Sequence, residues 1–273
     1  MRLKGSVDDI MLALRSLLFN IFFYLFTLTL MVVGCPLLLL PRHVGWPIVP
    51  FWAHVNLWVL KHLVGMKVEV RGRENIPEGG FIVAAKHQSA LETFALIPEF
   101  RDPTYILKRE LRYIPLFGWY TMRMKQIPVD RGKRSVALAA MTEKAREAVA
   151  EGRQILIFPE GTRRPAGAEP HYKYGVAHLY RQIGCPVLPV ALNTGIFWPR
   201  RGFYRYPGKV VFEILPPIEP GLGLEAFAST LTERVETVSD RLIEETAAAY
   251  PDLPVLDRVA ERWRERGRML RRN

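Results

Sequence analysis

The stretch Phe81-Ile82-Val83-Ala84-Ala85-Lys86-His87-Gln88-Ser89-Ala90-Leu91-Glu92 decides the architecture of this chain. Its opening run of apolar residues lacks polar alternation, so it reads as a strand buried on both faces, as in parallel sheets covered by helices. The polar residues that follow put a histidine at the C-terminal end of that strand, where open α/β sheets bind ligands. Outward from it, short β-type runs fall at 67–71, 104–107, 125–129, 154–158, 187–192 and 209–215. Helix-period stretches lie at 135–151, with Ser135 as N-cap, and at 224–250. Strands alternating with helices predict an α/β fold with a mixed, largely parallel sheet flanked by helices, as one domain over 66–255.

Composition supports a folded chain: 273 residues, 49% hydrophobic and 24% charged. Two cysteines, Cys35 and Cys185, exclude a disulfide framework or a Cys-rich zinc site. No H-E-x-x-H motif or Cys/His cluster predicts a metal. The 38 Lys and Arg outnumber 27 Asp and Glu for a net +11, which calls for an anionic partner: lipid, nucleic acid or a phosphorylated substrate. No aromatic-interleaved basic motif accompanies the charge, so nucleic acid is not expected.

Residues 17–40 form a 24-residue run without charge, roughly 36 Å as a helix against a hydrocarbon core of about 30 Å. A second uncharged run, 44–60, contains Pro47 and Pro50 and leaves a helix too short to span. Its Trp46, Trp52 and Trp58 suit the headgroup level. Residues 1–65 therefore predict a membrane-associated helical hairpin, either spanning through its first segment or dipping into one leaflet. The second arrangement keeps Arg2, Lys4 and Arg15 on the side of the basic remainder, the cytoplasmic face of an inner membrane. Val32-Val33-Gly34-Cys35 resembles a lipobox, but Pro36 and four leucines follow where a polar linker belongs. Residues 256–273 carry seven arginines against three acids, with Leu256, Val259, Trp263 and Leu270 near one face. That tail reads as a basic amphipathic helix for anionic headgroups or as a solvated terminus.

His87 and Glu92 are spaced so that a turn brings the carboxylate onto the imidazole, which would then serve as general base. Ser89-Ala90-Leu91-Glu92 is equally a capping box, in which Glu92 only satisfies a backbone N–H. Ser89 itself reads as an N-cap or as an acyl-enzyme nucleophile; G-x-S-x-G is absent. A second strand ends in Phe158-Pro159-Glu160-Gly161-Thr162-Arg163, and a third run reads Ile127-Pro128-Val129-Asp130-Arg131-Gly132. Arginine at each strand end offers a bidentate fork for phosphate.

In this order the motifs resemble the PlsC-type glycerolipid acyltransferases, the 1-acyl-sn-glycerol-3-phosphate acyltransferases. The family blocks N-H-x-S-x-x-D, G-x-x-F-I-D-R, F-P-E-G-T-R and V-P-V fall at 86–92, 125–131, 158–163 and 188–190. The run 107–119 matches K-x-E-L-x-x-I-P-x-x-G-W. Two departures stand out: Lys86 replaces the family Asn and Glu92 replaces the family Asp. The resemblance implies an acyltransferase fold with an N-terminal anchor. It implies transfer from an acyl thioester (acyl-CoA or acyl carrier protein, with no cofactor) to the sn-2 hydroxyl of lysophosphatidic acid. His87 would be the base oriented by Glu92. Arg131, Glu160, Gly161, Thr162 and Arg163 would hold the phosphate, assisted by Lys173. Lys108 or backbone N–H groups after His87 would meet the oxyanion. Another lysolipid acceptor, such as a lyso-ornithine lipid, or a non-catalytic lipid-binding module remain alternatives.

Overall fold

The computed structural model describes residues 7–130 and 134–270. β-Branched and other apolar residues build seven strands in one sheet: β1 Met66–Arg71, β2 Phe81–Ala85, β3 Pro103–Lys108, β4 Ile127–Val129, β5 Gln154–Ile157, β6 Val187–Leu192 and β7 Gly208–Ile214. Their order is β1-β7-β6-β2-β5-β3-β4. Every pairing is parallel except β6 with β7, where Val190 faces Ile214. β2 sits at the centre and all five of its residues are buried.

The pleat of the inner strands divides the core in two. Phe81, Val83 and Ala85 of β2 join one cluster with Leu156, Leu188, Val190 and Phe212, whereas Ile82 and Ala84 join the other with Ile155 and Val187. Ten α-helices are described: α1 Val7–Val33, α2 Arg42–Gly45, α3 Ile48–Val59, α4 Glu92–Ala95, α5 Phe117–Arg123, α6 Arg134–Ala150, α7 Gly175–Ile183, α8 Thr194–Phe197, α9 Leu224–Ala249 and α10 Val255–Glu265. α6, α7 and much of α9 cover the second cluster. α1, α3 and α10 contribute to the first.

Packing crosses both of the expected boundaries. The break at residue 65 does not separate packing units: Phe19 and Ala53 are fully buried in the first cluster, and Trp52 packs there instead of standing at a headgroup surface. Trp52 stacks edge-on with Phe94 at 5.5 Å and its indole N–H donates to Thr27 Oγ1 at 2.8 Å. Packing runs across residue 255 as well. Val255, Leu256, Val259 and Trp263 of α10 are buried in the same cluster, so the apolar face assigned to lipid is covered by the domain. α1 differs, because only one of its sides is used. Val7, Leu14, Leu18, Ile21, Leu25 and Leu28 are exposed, and α1 is the one described helix long and apolar enough to cross a membrane.

Candidate active site

β2 delivers the chain to the C-terminal edge of the sheet, where Lys86 N–H still donates to Val190 O at 3.0 Å. The next residue is held at both backbone groups by the segment after β5. His87 N–H donates to Glu160 Oε2 at 2.8 Å, and Arg164 N–H donates to His87 O at 2.8 Å. Its ring lies flat on Phe158, 4.1 Å between centroids and 16° between planes. Nδ1 donates to Glu92 Oε1 at 2.9 Å. An acceptor that is a carboxylate places the proton on Nδ1 and leaves the Nε2 lone pair on the far side of the ring.

Glu92 is fully buried and densely bonded. Oε1 also accepts Gln88 N–H at 2.7 Å and Ser89 N–H at 2.6 Å, and Oε2 accepts the Thr194 hydroxyl at 2.9 Å. One carboxylate thus makes both the imidazole contact and a bond to Ser89 N–H, but α4 begins at Glu92 with Leu91 before it, so Ser89 is not its N-cap and the expected capping box is not formed. Ser89 Oγ accepts Leu91 N–H at 3.2 Å, and Ser89 is fully buried, which removes it as a nucleophile. Gln88 locks the loop from behind by accepting Gly195 N–H at 2.9 Å.

Beneath the loop lies a buried ionic cluster. Lys86, 3% exposed, pairs through Nζ with Glu236 of α9 and stands 3.6 Å from Glu160 Oε1. Tyr172 OH donates to Glu236 Oε1 at 2.9 Å. Burial pushes the Glu160 carboxyl above its ordinary range, opposed by Lys86 and by the His87 N–H. Burial and then Glu236 push the Tyr172 hydroxyl up. Removing the ammonium would leave buried carboxylates facing each other, so α9 supplies the counter-charge that permits Lys86 where the family pattern has a neutral Asn.

Glu160, expected at the phosphate, is 1% exposed and turned toward Lys86 and His87 N–H. Its place is under the histidine, and a carboxylate there does not face a phosphate. Gly161 follows at φ +65°, and a Cβ added to it would lie 3.0 Å from Lys173 Cδ, so the Lys173 stem crosses the glycine. Lys173 N–H donates to Pro159 O at 2.9 Å. Thr162 and Arg163 are exposed, and Arg200 Nη1 reaches Arg163 O at 2.9 Å. This assembles cations around a loop whose glycine admits close approach. Lys108 ends β3 on the same edge and is exposed; Tyr105 of that strand packs on Phe158, 6.2 Å between centroids. No bond joins Lys108 to His87 among the described residues. Arg131 lies outside the described residues.

Sequence reasoning missed Thr194, Tyr105 and Glu236. Thr194 lies two residues beyond β6 and carries no motif signal. The Tyr105 hydroxyl is buried without a partner among the described residues, and burial and then Glu92 push it up.

An imidazole backed by a buried carboxylate thus stands at the C-terminal edge of a helix-covered α/β sheet, beside a glycine–cation loop, an arrangement suited to an enzyme that handles protons at an anionic substrate. A model of the family described as Acyltransferase matches residues 67–193. A 1-acyl-sn-glycerol-3-phosphate acyltransferase of Pseudomonas aeruginosa is 39% identical over 210 residues, covering 72% of this chain and 81% of that protein. Its namesake in Saccharomyces cerevisiae is 30% identical over 68% of this chain and 62% of its own length. The crystal structure of the 1-acyl-sn-glycerophosphate acyltransferase PlsC from Thermotoga maritima superposes with a TM-score of 0.71 at 27% identity, covering 84% of this chain and 96% of that one. The chain belongs to the PlsC-type acyltransferase family.

Proposed function

We propose that this chain transfers an acyl group from a thioester, acyl-CoA or acyl carrier protein, to the sn-2 hydroxyl of 1-acyl-sn-glycerol-3-phosphate, giving phosphatidic acid. The observation that carries the reading is the 2.9 Å contact of His87 Nδ1 with the buried Glu92, which leaves Nε2 as the base. Nε2 takes the hydroxyl proton as the oxygen attacks the thioester carbonyl. The tetrahedral intermediate collapses with loss of thiolate, which receives the proton back from the imidazolium. General-base help of this kind contributes about 10²–10⁴ in rate.

The N–H groups of Gln88 and Ser89 are committed to Glu92, so they do not serve the oxyanion, and Lys108 takes that role. Arg131, Arg163 and Lys173, with the backbone around Gly161 and Thr162, hold the phosphate. Glu160 acts indirectly, by fixing His87 N–H.

The protein works at a membrane surface. α1 touches the domain from Ser16, which accepts Arg205 N–H, through Met31, whose carbonyl accepts Tyr120 OH, to Gly34. That contact runs about 27 Å along the helix axis, most of a hydrocarbon core of about 30 Å. A helix seated on its domain over such a length lies in one leaflet instead of crossing two. Arg2, Lys4 and Arg15 beside the apolar run support a reading in which the domain lies on the cytoplasmic face.

The test is a full-length preparation in anionic vesicles, assayed with one labelled thioester against a panel of lysolipids. His87→Ala is expected to lower kcat about 10²–10⁴-fold with folding and vesicle binding kept; wild-type turnover in that variant overturns the assignment. Glu92→Gln preserves the N–H acceptor and removes the charge, so lost turnover with intact stability is expected. Equal use of a lyso-ornithine lipid would overturn the phosphate reading.

A further inference from the structure

We propose that residues 109–123, on the catalytic domain itself, form a second lipid-contact surface that carries the bilayer from α1 to the edge of the His87 site. The proposal rests on the membrane reading above and adds a surface that α1 does not provide.

Five large apolar side chains are exposed within ten residues: Tyr113, Ile114, Phe117, Trp119 and Met122, with Tyr113 at 74% and Trp119 at 53%. Isolated exposed apolar residues need no explanation, but a contiguous group of aromatic ones marks an interaction site. The segment is firmly built. Leu116 adopts φ 63° and ψ −61°, a region unfavourable for a side chain, closed by Phe117 N–H donating to Pro115 O at 2.7 Å. Gly118 passes so near the preceding turn that an added Cβ would stand 1.9 Å from Arg112 O. Backbone strain is thus retained in a stretch that presents apolar groups to the outside.

Continuity identifies the occupant. Tyr120 OH donates to Met31 O at 3.0 Å, and the Arg123 guanidinium bonds Leu40 O, so α5 is seated on the C-terminal end of α1 and the turn after it. Val32, Val33, Leu39 and Leu40 of that end are themselves exposed. The two patches share one border, and the partner of the first is the partner of the second. Trp and Tyr at the margin suit the headgroup level, and the exposed Arg112 suits phosphate heads. Because Lys108 ends β3 and begins this segment, lipid contact here sets the sheet edge against the bilayer. An acceptor keeps its acyl chain in lipid while its glycerol end reaches His87.

The test places an environment-sensitive fluorophore by Trp119→Cys, by Leu25→Cys on α1 and by Glu244→Cys on α9, each in the full chain with Cys35 and Cys185 replaced by alanine. Vesicles of phosphatidylcholine and phosphatidylglycerol containing spin-labelled lipid are then added. Quenching at positions 119 and 25 but not at 244 is expected. Quenching at 25 with none at 119 overturns this proposal and leaves the membrane reading standing, whereas no quenching at either overturns both. A response at 119 that appears only on adding an acidic carrier protein overturns it in favour of a protein partner. As a second measurement, Trp119→Ser is expected to raise KM for vesicle-embedded acceptor about tenfold, equivalent to ~1.4 kcal/mol of lost lipid contact. The same variant should keep wild-type kcat and KM for a short-chain acceptor in detergent. A loss with both substrates would make Trp119 structural and overturn the proposal.

Discussion

α1 and α10 are both helices that composition assigns to lipid, and the structure treats them oppositely. α10 has a single apolar stripe, Val255, Leu256, Val259 and Trp263, and the domain takes all of it. Arg262 of α10 and two arginines just after it turn inward as well: Arg262 reaches Ala166 O, Arg266 reaches Gly167 O and Ala168 O, and Arg268 pairs with Asp240. α10 therefore clamps the loop that follows Arg163. α1 is apolar around its circumference, so seating Phe19 and Phe23 on the domain leaves a second apolar side without a protein partner. A helix with one apolar stripe serves one partner; a helix apolar all round can serve the domain and the bilayer together.

The largest expected effect tests the buried side of this contrast. Trp263→Ala should cost about 3–5 kcal/mol in denaturant unfolding, as large-to-small changes in packed cores do, with vesicle affinity of the folded protein unchanged. Unaltered stability with lost vesicle binding would reverse the roles of the two helices. Next comes the inner side of α1. Phe23 packs on Phe94 at 5.7 Å, on Trp52 at 5.9 Å and on Trp198 at 6.1 Å. Phe94 lies in the α4 turn that carries Glu92, and Trp198 follows the α8 turn that carries Thr194. Phe23→Ala should therefore lower stability by about 2 kcal/mol and reduce kcat more than it raises KM, with Phe23→Leu recovering most of both. An effect confined to vesicle binding would show that α1 is an anchor alone.

The contrast also explains what was legible in the sequence. β2 and the His87–Glu92 pair were readable because both are local: an unbroken apolar run, then two groups a short turn apart. The reciprocal hold between His87 and the 158–164 segment was visible only as two separate motifs, since nothing in either states that Glu160 faces inward. Lys86 with Glu236, and Glu92 with Thr194, join distant parts of the chain through the sheet order, which no spacing encodes. The stripe on α10 was equally visible, but a stripe does not name its partner. Lipid and a neighbouring sheet select the same residues, and only the tertiary arrangement distinguishes them. The packing of the partly buried Trp52 against the core has the same cause.

The outer side of α1 gives a smaller effect. Leu25→Ala should leave unfolding free energy within about 0.5 kcal/mol, because Leu25 is 59% exposed. Vesicle partitioning should fall about tenfold, since ~0.8 kcal/mol for each of three carbons withdrawn from lipid is scaled down by the partial exposure of the side chain. A stability loss comparable with that of Phe23→Ala would place this side against protein.

The smallest expected effect belongs to the exposed arginines of α10, and it discriminates because the two helix roles predict different values. Arg258 and Arg264 are exposed and stand on the side of α10 away from its buried stripe. If the tail docked on anionic headgroups, each would contribute about 1 kcal/mol near the surface, so Arg258→Gln with Arg264→Gln would weaken vesicle binding more than tenfold at low salt. With the apolar stripe buried in the domain, no insertion accompanies the charge, and such charges are screened within about 10 Å at 0.1 M salt. The double variant should then bind anionic vesicles within twofold of wild type, measured by flotation at two salt concentrations. A large, salt-dependent loss would return α10 to the membrane and erase its difference from α1.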